Sequence, residues 1–174
     1  MAVGGDFFDI RQISEEEAGV FLCDVMGHGL KAALITAIIR GELEELRGYA
    51  LEPGAFLTGI NRKLKAVLRQ TNQLIFASAL YMVVNITNGR IRYANAGHTC
   101  PILMSRAERN IHYLSEADDL RGPAMGLFDD AAYSYCEAQL QQNEAVILFT
   151  DGLYDVGSDF EASESQKPLL DALL

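Results

Sequence analysis

The stretch that most restricts the fold of this 174-residue chain lies at residues 29–70, where the helical period of 3.6 appears twice in succession. In the first run Leu30, Ala33, Leu34, Ala37 and Ile38 make an apolar stripe, widened by Ile35, Ile39, Leu43 and Leu46. That helix is predicted to end near Gly48. Pro53 suits the first turn of the second helix, in which Phe56, Leu57, Ile60, Leu64, Val67 and Leu68 share a face. Arg62, Lys63, Lys65 and Arg69 fall on its solvated side. Both flanks read as strand. Two adjacent helices between strand-rich stretches do not read as alternating βαβ units, so an α+β fold of antiparallel sheets covered by helices is expected.

Gly4 to Asp24 reads as a hairpin: Phe7, Phe8 and Ile10 run out, Ser14 to Glu17 turns, and Ala18 to Asp24 returns. Pairing of that kind brings Asp6 and Asp24 to one rim, where Asp24 is expected to stay hydrated and charged. Beyond the helices, residues 76–86 and 90–96 flank the hairpin signal Asn88-Gly89. A turn over Asn95 to Thr99 leads into a strand at 101–105. Further strands are expected at 110–114, 133–140 and 145–150, with a loop over 115–123. The tail is polar over 157–166, and its last leucines could start a helix. No internal repeat is visible, and the length suits one domain over 1–174.

Three aspartates share one description. Asp6 follows Gly4-Gly5, Asp24 ends a strand before Val25-Met26-Gly27-His28-Gly29, and Asp151 ends another before Gly152. Glycines beside a carboxylate let the backbone approach a ligand or take positive φ. Short carboxylates on a rigid sheet rim are what a hard cation requires, and no cysteine–histidine spacing suggests zinc. The chain holds 14 basic and 24 acidic residues, a net charge of −10, which argues against non-specific nucleic-acid binding. Such a balance fits either a cation-collecting site or a solvated acidic surface. Cys23, Cys100 and Cys136 are odd in number and read as small hydrophobes in a reducing compartment. With no apolar run of membrane-spanning length and no signal-peptide pattern, a cytoplasmic protein without a membrane partner is expected.

Gly4 to Asp9, Asp24 to Gly29, Tyr93 to His98, Met125 to Leu127 and Phe149 to Gly152 together resemble the SpoIIE-type branch of metal-dependent serine/threonine phosphatases, relatives of the type-2C enzymes. The resemblance runs from Gly4 to about Val156. It implies a four-layer αββα sandwich with two Mn²⁺ or Mg²⁺ ions at one sheet edge. Asp24 would bridge both, the Val25 backbone carbonyl would bind the first, Asp6 would support it through water, and Asp151 would bind the second. A water activated by the two ions would attack phosphorus in line, with no phosphoenzyme. The implied substrate is a phosphorylated regulatory protein, an anti-sigma-factor antagonist in this branch. A sensory domain or regulator would act on helices 29–70.

Two departures stand out. The family's further metal-binding aspartate has no match in context at Asp155, Asp159 or Asp171, and both ends of the chain read as clipped. The missing acid motivates an alternative, a phosphatase-like domain that binds a partner with weak turnover. A third reading takes Gly-Gly-Asp-Phe-Phe as a diguanylate cyclase signature, but Phe7 stands where that class needs an acid. His28 and His98 are as well read as fixing their turns as acting in chemistry, and neither is assigned a catalytic role. His112 has no chemical neighbour in sequence.

Overall fold

A computed structural model describes residues 4–69, 74–114 and 121–153. Strands β1 (Phe7–Gln12) and β2 (Glu17–Val25) form the expected hairpin, followed by α1 (Leu30–Glu45), a 3-10 turn at Arg47–Tyr49 and α2 (Pro53–Leu68). Then come β3 (Ala77–Asn85), β4 (Arg90–Ala96), β5 (Ile102–Ser105), β6 (Asn110–Tyr113), β7 (Arg121–Gly122), β8 (Cys136–Gln139) and β9 (Glu144–Ile147). The larger sheet has the order β1-β2-β3-β4-β7, with β8 also on β4, and the smaller has the order β6-β5-β9. Among the described residues the named strands pair antiparallel except at the two-residue β4·β7 contact, which falls inside the stretch expected to be loop.

Side-chain alternation divides the larger sheet into two working faces. Phe21, Cys23, Val25, Tyr81, Val83 and Ala94 point to one side and are covered by α1 and α2. Leu80, Met82, Ile91 and Tyr93 point to the other, packing with Leu114, Val146 and Leu148 of the smaller-sheet region. Strand β3 is therefore buried on both faces along most of its length. Helices, larger sheet and smaller sheet make three successive layers among the described residues.

The phase of α1 differs from the sequence expectation. Ala32, Ile35, Ile39 and Leu43 face the sheet, while Leu30 is 77% and Leu34 is 56% exposed. The helix is apolar almost all round, so periodicity leaves its rotation open, and the Ile35–Ile39–Leu43 row is the one that fits against β2 and α2. In α2 the predicted face holds for Phe56, Leu57, Ile60, Leu64 and Leu68, but Val67 is exposed. Lys63 pairs with Glu42 and Glu45, while Lys65 and Arg69 pair with Asp129, so three of the four basic residues are engaged rather than merely solvated.

The β3–β4 connection is longer than a two-residue turn. Asn85 Oδ1 accepts the Thr87 and Asn88 N–H groups at 3.0 Å each, and Gly89 carries the positive φ of 75° that closes the loop. The strands predicted over 133–140 and 145–150 shorten to β8 and β9. The expectations for residues 157–174, and for Asp155, fall outside the described residues.

Candidate metal centre

Pairing of Phe7 with Cys23 places Asp6 across from Asp24 at the open end of β1 and β2. The approach is close because residue 5 is glycine. A Cβ there would overlap the Val25 carbonyl oxygen. The Val25 N–H donates to the Gly5 carbonyl at 3.3 Å, and Thr36 Oγ1 of α1 donates to the same oxygen at 3.4 Å. Beyond Val25, Gly27 (φ 89°) and Gly29 (φ 80°) turn the chain through left-handed conformations that other residues resist. The Gly29 carbonyl then receives the Ala33 N–H at 3.1 Å and starts α1. His28 sits exposed between the two glycines.

Asp24 is half-buried, and its carboxyl is pushed up from 3.8 to about 7. Burial is the largest cause, followed by the hydrogen bond and charge of Asp6 and then the charge of Asp151. This corrects the expectation of a freely charged carboxylate: partial desolvation and two acidic neighbours disfavour its ionised form. Asp151 opens a 3-10 turn at Asp151–Leu153 and is exposed. The preceding Thr150 donates its hydroxyl to Asp6 Oδ2 at 2.7 Å, which ties the two carboxylate-bearing segments together.

Asp6 and Asp24 thus stand as a pair, with Asp151 acting on Asp24 through space. Among the described residues no three His, Cys, Asp or Glu side chains are gathered closely enough to hold an ion as they stand. The donor chemistry still fits a hard divalent cation. Paired carboxylates, one of them half-buried, carry a proton near neutrality that a cation would displace.

His98 is buried, and burial holds its imidazole down at about 4 against the upward pull of Asp6. Its Nδ1 lies 2.9 Å from Ser78 Oγ, and Ser78 is the register partner of Asp24. The turn itself is fixed by a different residue. Asn95 donates its amide to the His98 carbonyl at 3.0 Å and accepts the His98 N–H at 2.7 Å. Thr99 Oγ1 then donates to the Phe149 carbonyl at 2.6 Å, joining this turn to the segment that delivers Asp151. His112 is exposed on β6, away from all of this. The Cys23 thiol is pushed well up by burial and then by Asp24 and Asp6, which makes it a packing residue beside the acids. Cys100 and Cys136 are half-buried rather than core residues.

One residue absent from the sequence reading is Asn61. It is 1% exposed on the inner face of α2, accepts the Gly126 N–H at 2.8 Å and donates to the Phe128 carbonyl at 3.0 Å. A signal was available: positions 57, 61, 64 and 68 lie on one helical stripe, and only position 61 is polar.

No helix among the described residues is long and apolar enough to cross a membrane. The family model described as Stage II sporulation protein E (SpoIIE) matches residues 14–173. Phosphoserine phosphatase RsbP of Bacillus subtilis (strain 168) is 27% identical over 154 residues, covering 88% of this chain and 37% of that protein. The chain therefore spans little more than a third of that relative's length. The crystal structure of the RsbU and RsbW domains of Rv1364c from Mycobacterium tuberculosis superposes with a TM-score of 0.79 at 22% identity, over 99% of this chain and 45% of that one. RsbX in complex with magnesium superposes with a TM-score of 0.62 at 18% identity, over 98% of this chain and 80% of that one.

Proposed function

Because the chain belongs to the SpoIIE family, we propose that it hydrolyses phosphoserine or phosphothreonine on a regulatory protein, with divalent cations held at the Asp6–Asp24 edge. The observation that carries this reading is the carboxylate pair itself, two acids facing each other with a third nearby, and Asp24 raised by burial and then by those neighbours. The name of the relative RsbP and the magnesium bound to RsbX support the activity and the metal class respectively. Asp24 would bridge two ions, Mn²⁺ or Mg²⁺, with the Val25 carbonyl and Asp6 at the first and Asp151 at the second. Bound ions would supply charge stabilisation for the phosphoryl oxygens and an activated water. The protein's own part is to aim the donors. Gly5 lets the backbone of β1 approach Val25, Thr150 holds Asp6, and the Gly27–Gly29 turn leaves the mouth of the site open. The anti-sigma-factor antagonist remains the substrate class we favour, in the cytoplasm, with no nucleic acid involved.

The three acids are not gathered closely enough to hold an ion as they stand, which favours a conditional centre over an always complete one. A regulator bearing on α1 and α2 would complete it, since Thr36 of α1 bonds the same Gly5 carbonyl that receives Val25. Without such a regulator the domain would bind a phosphoprotein and turn it over slowly. The test is turnover of p-nitrophenyl phosphate and of a phosphoserine peptide with Mn²⁺, by this chain and by its Asp24→Asn variant. Metal-dependent release of phosphate, lost in the variant, is expected. Release that ignores both metal and Asp24 would overturn the reading.

A further inference from the structure

Three peptide groups stand in file between α2 and the metal turn. The Gly126 N–H donates to Asn61 Oδ1 at 2.8 Å. The carbonyl of that same peptide plane, on Met125, accepts the Ala77 N–H at 2.9 Å. The other end of Ala77's plane, the Phe76 carbonyl, accepts the Met26 N–H at 3.0 Å. The plane that contains the Met26 N–H ends in the Val25 carbonyl. Each peptide unit is rigid and flat, so fixing its N–H fixes the direction of its C=O. We propose that Asn61 is a positioning residue that, through this file, aims and polarises the Val25 carbonyl as a metal donor. The inference rests on the reading above that this carbonyl faces a cation.

Polarity runs one way along the file. Each plane donates through its N–H and thereby gains electron density on its oxygen, and linked donors reinforce one another in a low-dielectric interior. Asn61, Met125 and Ala77 are all buried, so the first two links are shielded from competing water. The last acceptor in the file is the Asn61 side chain. Its amide cannot rotate away, because its other end donates to the Phe128 carbonyl at 3.0 Å.

The loop can lie against α2 only because residue 126 is glycine. Its φ is 90°, and a Cβ would sit 3.0 Å from both the Ile75 carbonyl oxygen and Leu68 Cδ1. Lys65 and Arg69 reach the same loop, at Leu127 and Asp129, but the Arg69–Asp129 pair is exposed and screened. Asn61 is the buried fastening. At the far end, the Val25 oxygen lies so close to Gly5 that a side chain there would overlap it.

The test compares Mn²⁺ affinity by calorimetry in the wild-type chain, Asn61→Leu, Asn61→Asp and Leu57→Ala. Asn61→Leu removes the terminal acceptor and is expected to weaken Mn²⁺ binding roughly tenfold, the lower end of what outer-layer partners contribute. Its phosphatase rate should recover at saturating Mn²⁺ with an unchanged KM for the phosphopeptide. Asn61→Asp, as the neutral acid that so buried a position favours, keeps the acceptor for Gly126 and an O–H for the Phe128 carbonyl, and should hold its affinity within about threefold of the wild type, on the scale of single-residue coupling. Leu57→Ala, which destabilises the same helix without touching the file, should bind as the wild type does. Equal affinity in Asn61→Leu and wild type would overturn the proposal. A loss shared by Leu57→Ala would also overturn it, by assigning the effect to stability. Absence of Mn²⁺ binding in the wild type would instead sink the metal reading itself. If Asn61→Leu does not fold, amide exchange in the wild type decides: Mn²⁺ should protect Met26, Ala77 and Gly126 together, and protection of Met26 alone would refute the file.

Discussion

Replacing Asp24 by asparagine should stabilise the metal-free protein while removing its response to metal. The Asp24 carboxyl is lifted from 3.8 to about 7, and one pKa unit corresponds to about 1.4 kcal/mol. A lift of about three units therefore has a ceiling of about 4 kcal/mol. Asp24 is only half-buried and shares its proton with Asp6, so solvent screening reduces this to about 1–2 kcal/mol. The sign follows from linkage. A raised acid keeps its proton in the native state over a range where the unfolded chain has lost it, so native stability falls as pH rises from about 4 to 7. Asparagine has nearly the same shape and no charge to repel Asp6 or Asp151. In a chelator the variant should be about 1–2 kcal/mol more stable at pH 8, or about 3–6 °C in Tm for a domain of this size, and indistinguishable near pH 4. Calorimetry or urea unfolding of both proteins at pH 4, 6 and 8 measures this directly. A variant less stable at pH 8, or a difference that does not change with pH, would refute the electrostatic account of the site.

The other expectations concern metal, histidine and packing. Adding Mn²⁺ at a hundred times its Kd should raise the Tm by about 5–10 °C in the wild type and not in Asp24→Asn, read by differential scanning fluorimetry. His98 is held down at about 4 against an ordinary 6.5, so the unfolded chain binds the proton that the native state refuses, and stability drops as pH falls from 6.5 to 4. His98→Gln should flatten that acid-side slope, which opposes the Asp24 slope in the same window, and urea unfolding at pH 4.5 and 7 will show it. Ile39→Ala, at a fully buried position, should cost about 2–4 kcal/mol, whereas Leu34→Ala on the exposed side of α1 should stay within about 0.5 kcal/mol. Gly5→Ala should both destabilise the fold and weaken Mn²⁺ binding, since its methyl group would occupy the space of the Val25 carbonyl oxygen. Calorimetric titration separates the two effects.

The local chemistry of the chain was written in its residues. Strand-forming residues on either side of a polar turn announced the β1–β2 hairpin, and antiparallel geometry alone then brought Asp6 and Asp24 together. Glycines at 27 and 29 marked the turn because only they adopt its φ values cheaply. The two helices were legible as helices from their period. What the period could not supply was the rotation of α1, since a helix apolar on nearly every side has no preferred face until a sheet is placed beside it. Leu34 looked like core and proved exposed for that reason. The state of Asp24 was equally hidden, because its rise depends on Asp6 and Asp151 arriving within reach of a half-buried carboxyl. Asn61 shows the same limit from the other direction. A polar residue on an apolar stripe was visible in the sequence, but its meaning lies in Gly126 and Phe128, more than sixty residues away. Sequence determines which groups a segment can offer and in what local geometry. Which groups meet is decided by packing, because desolvation and hydrogen-bond satisfaction are properties of the assembled neighbourhood.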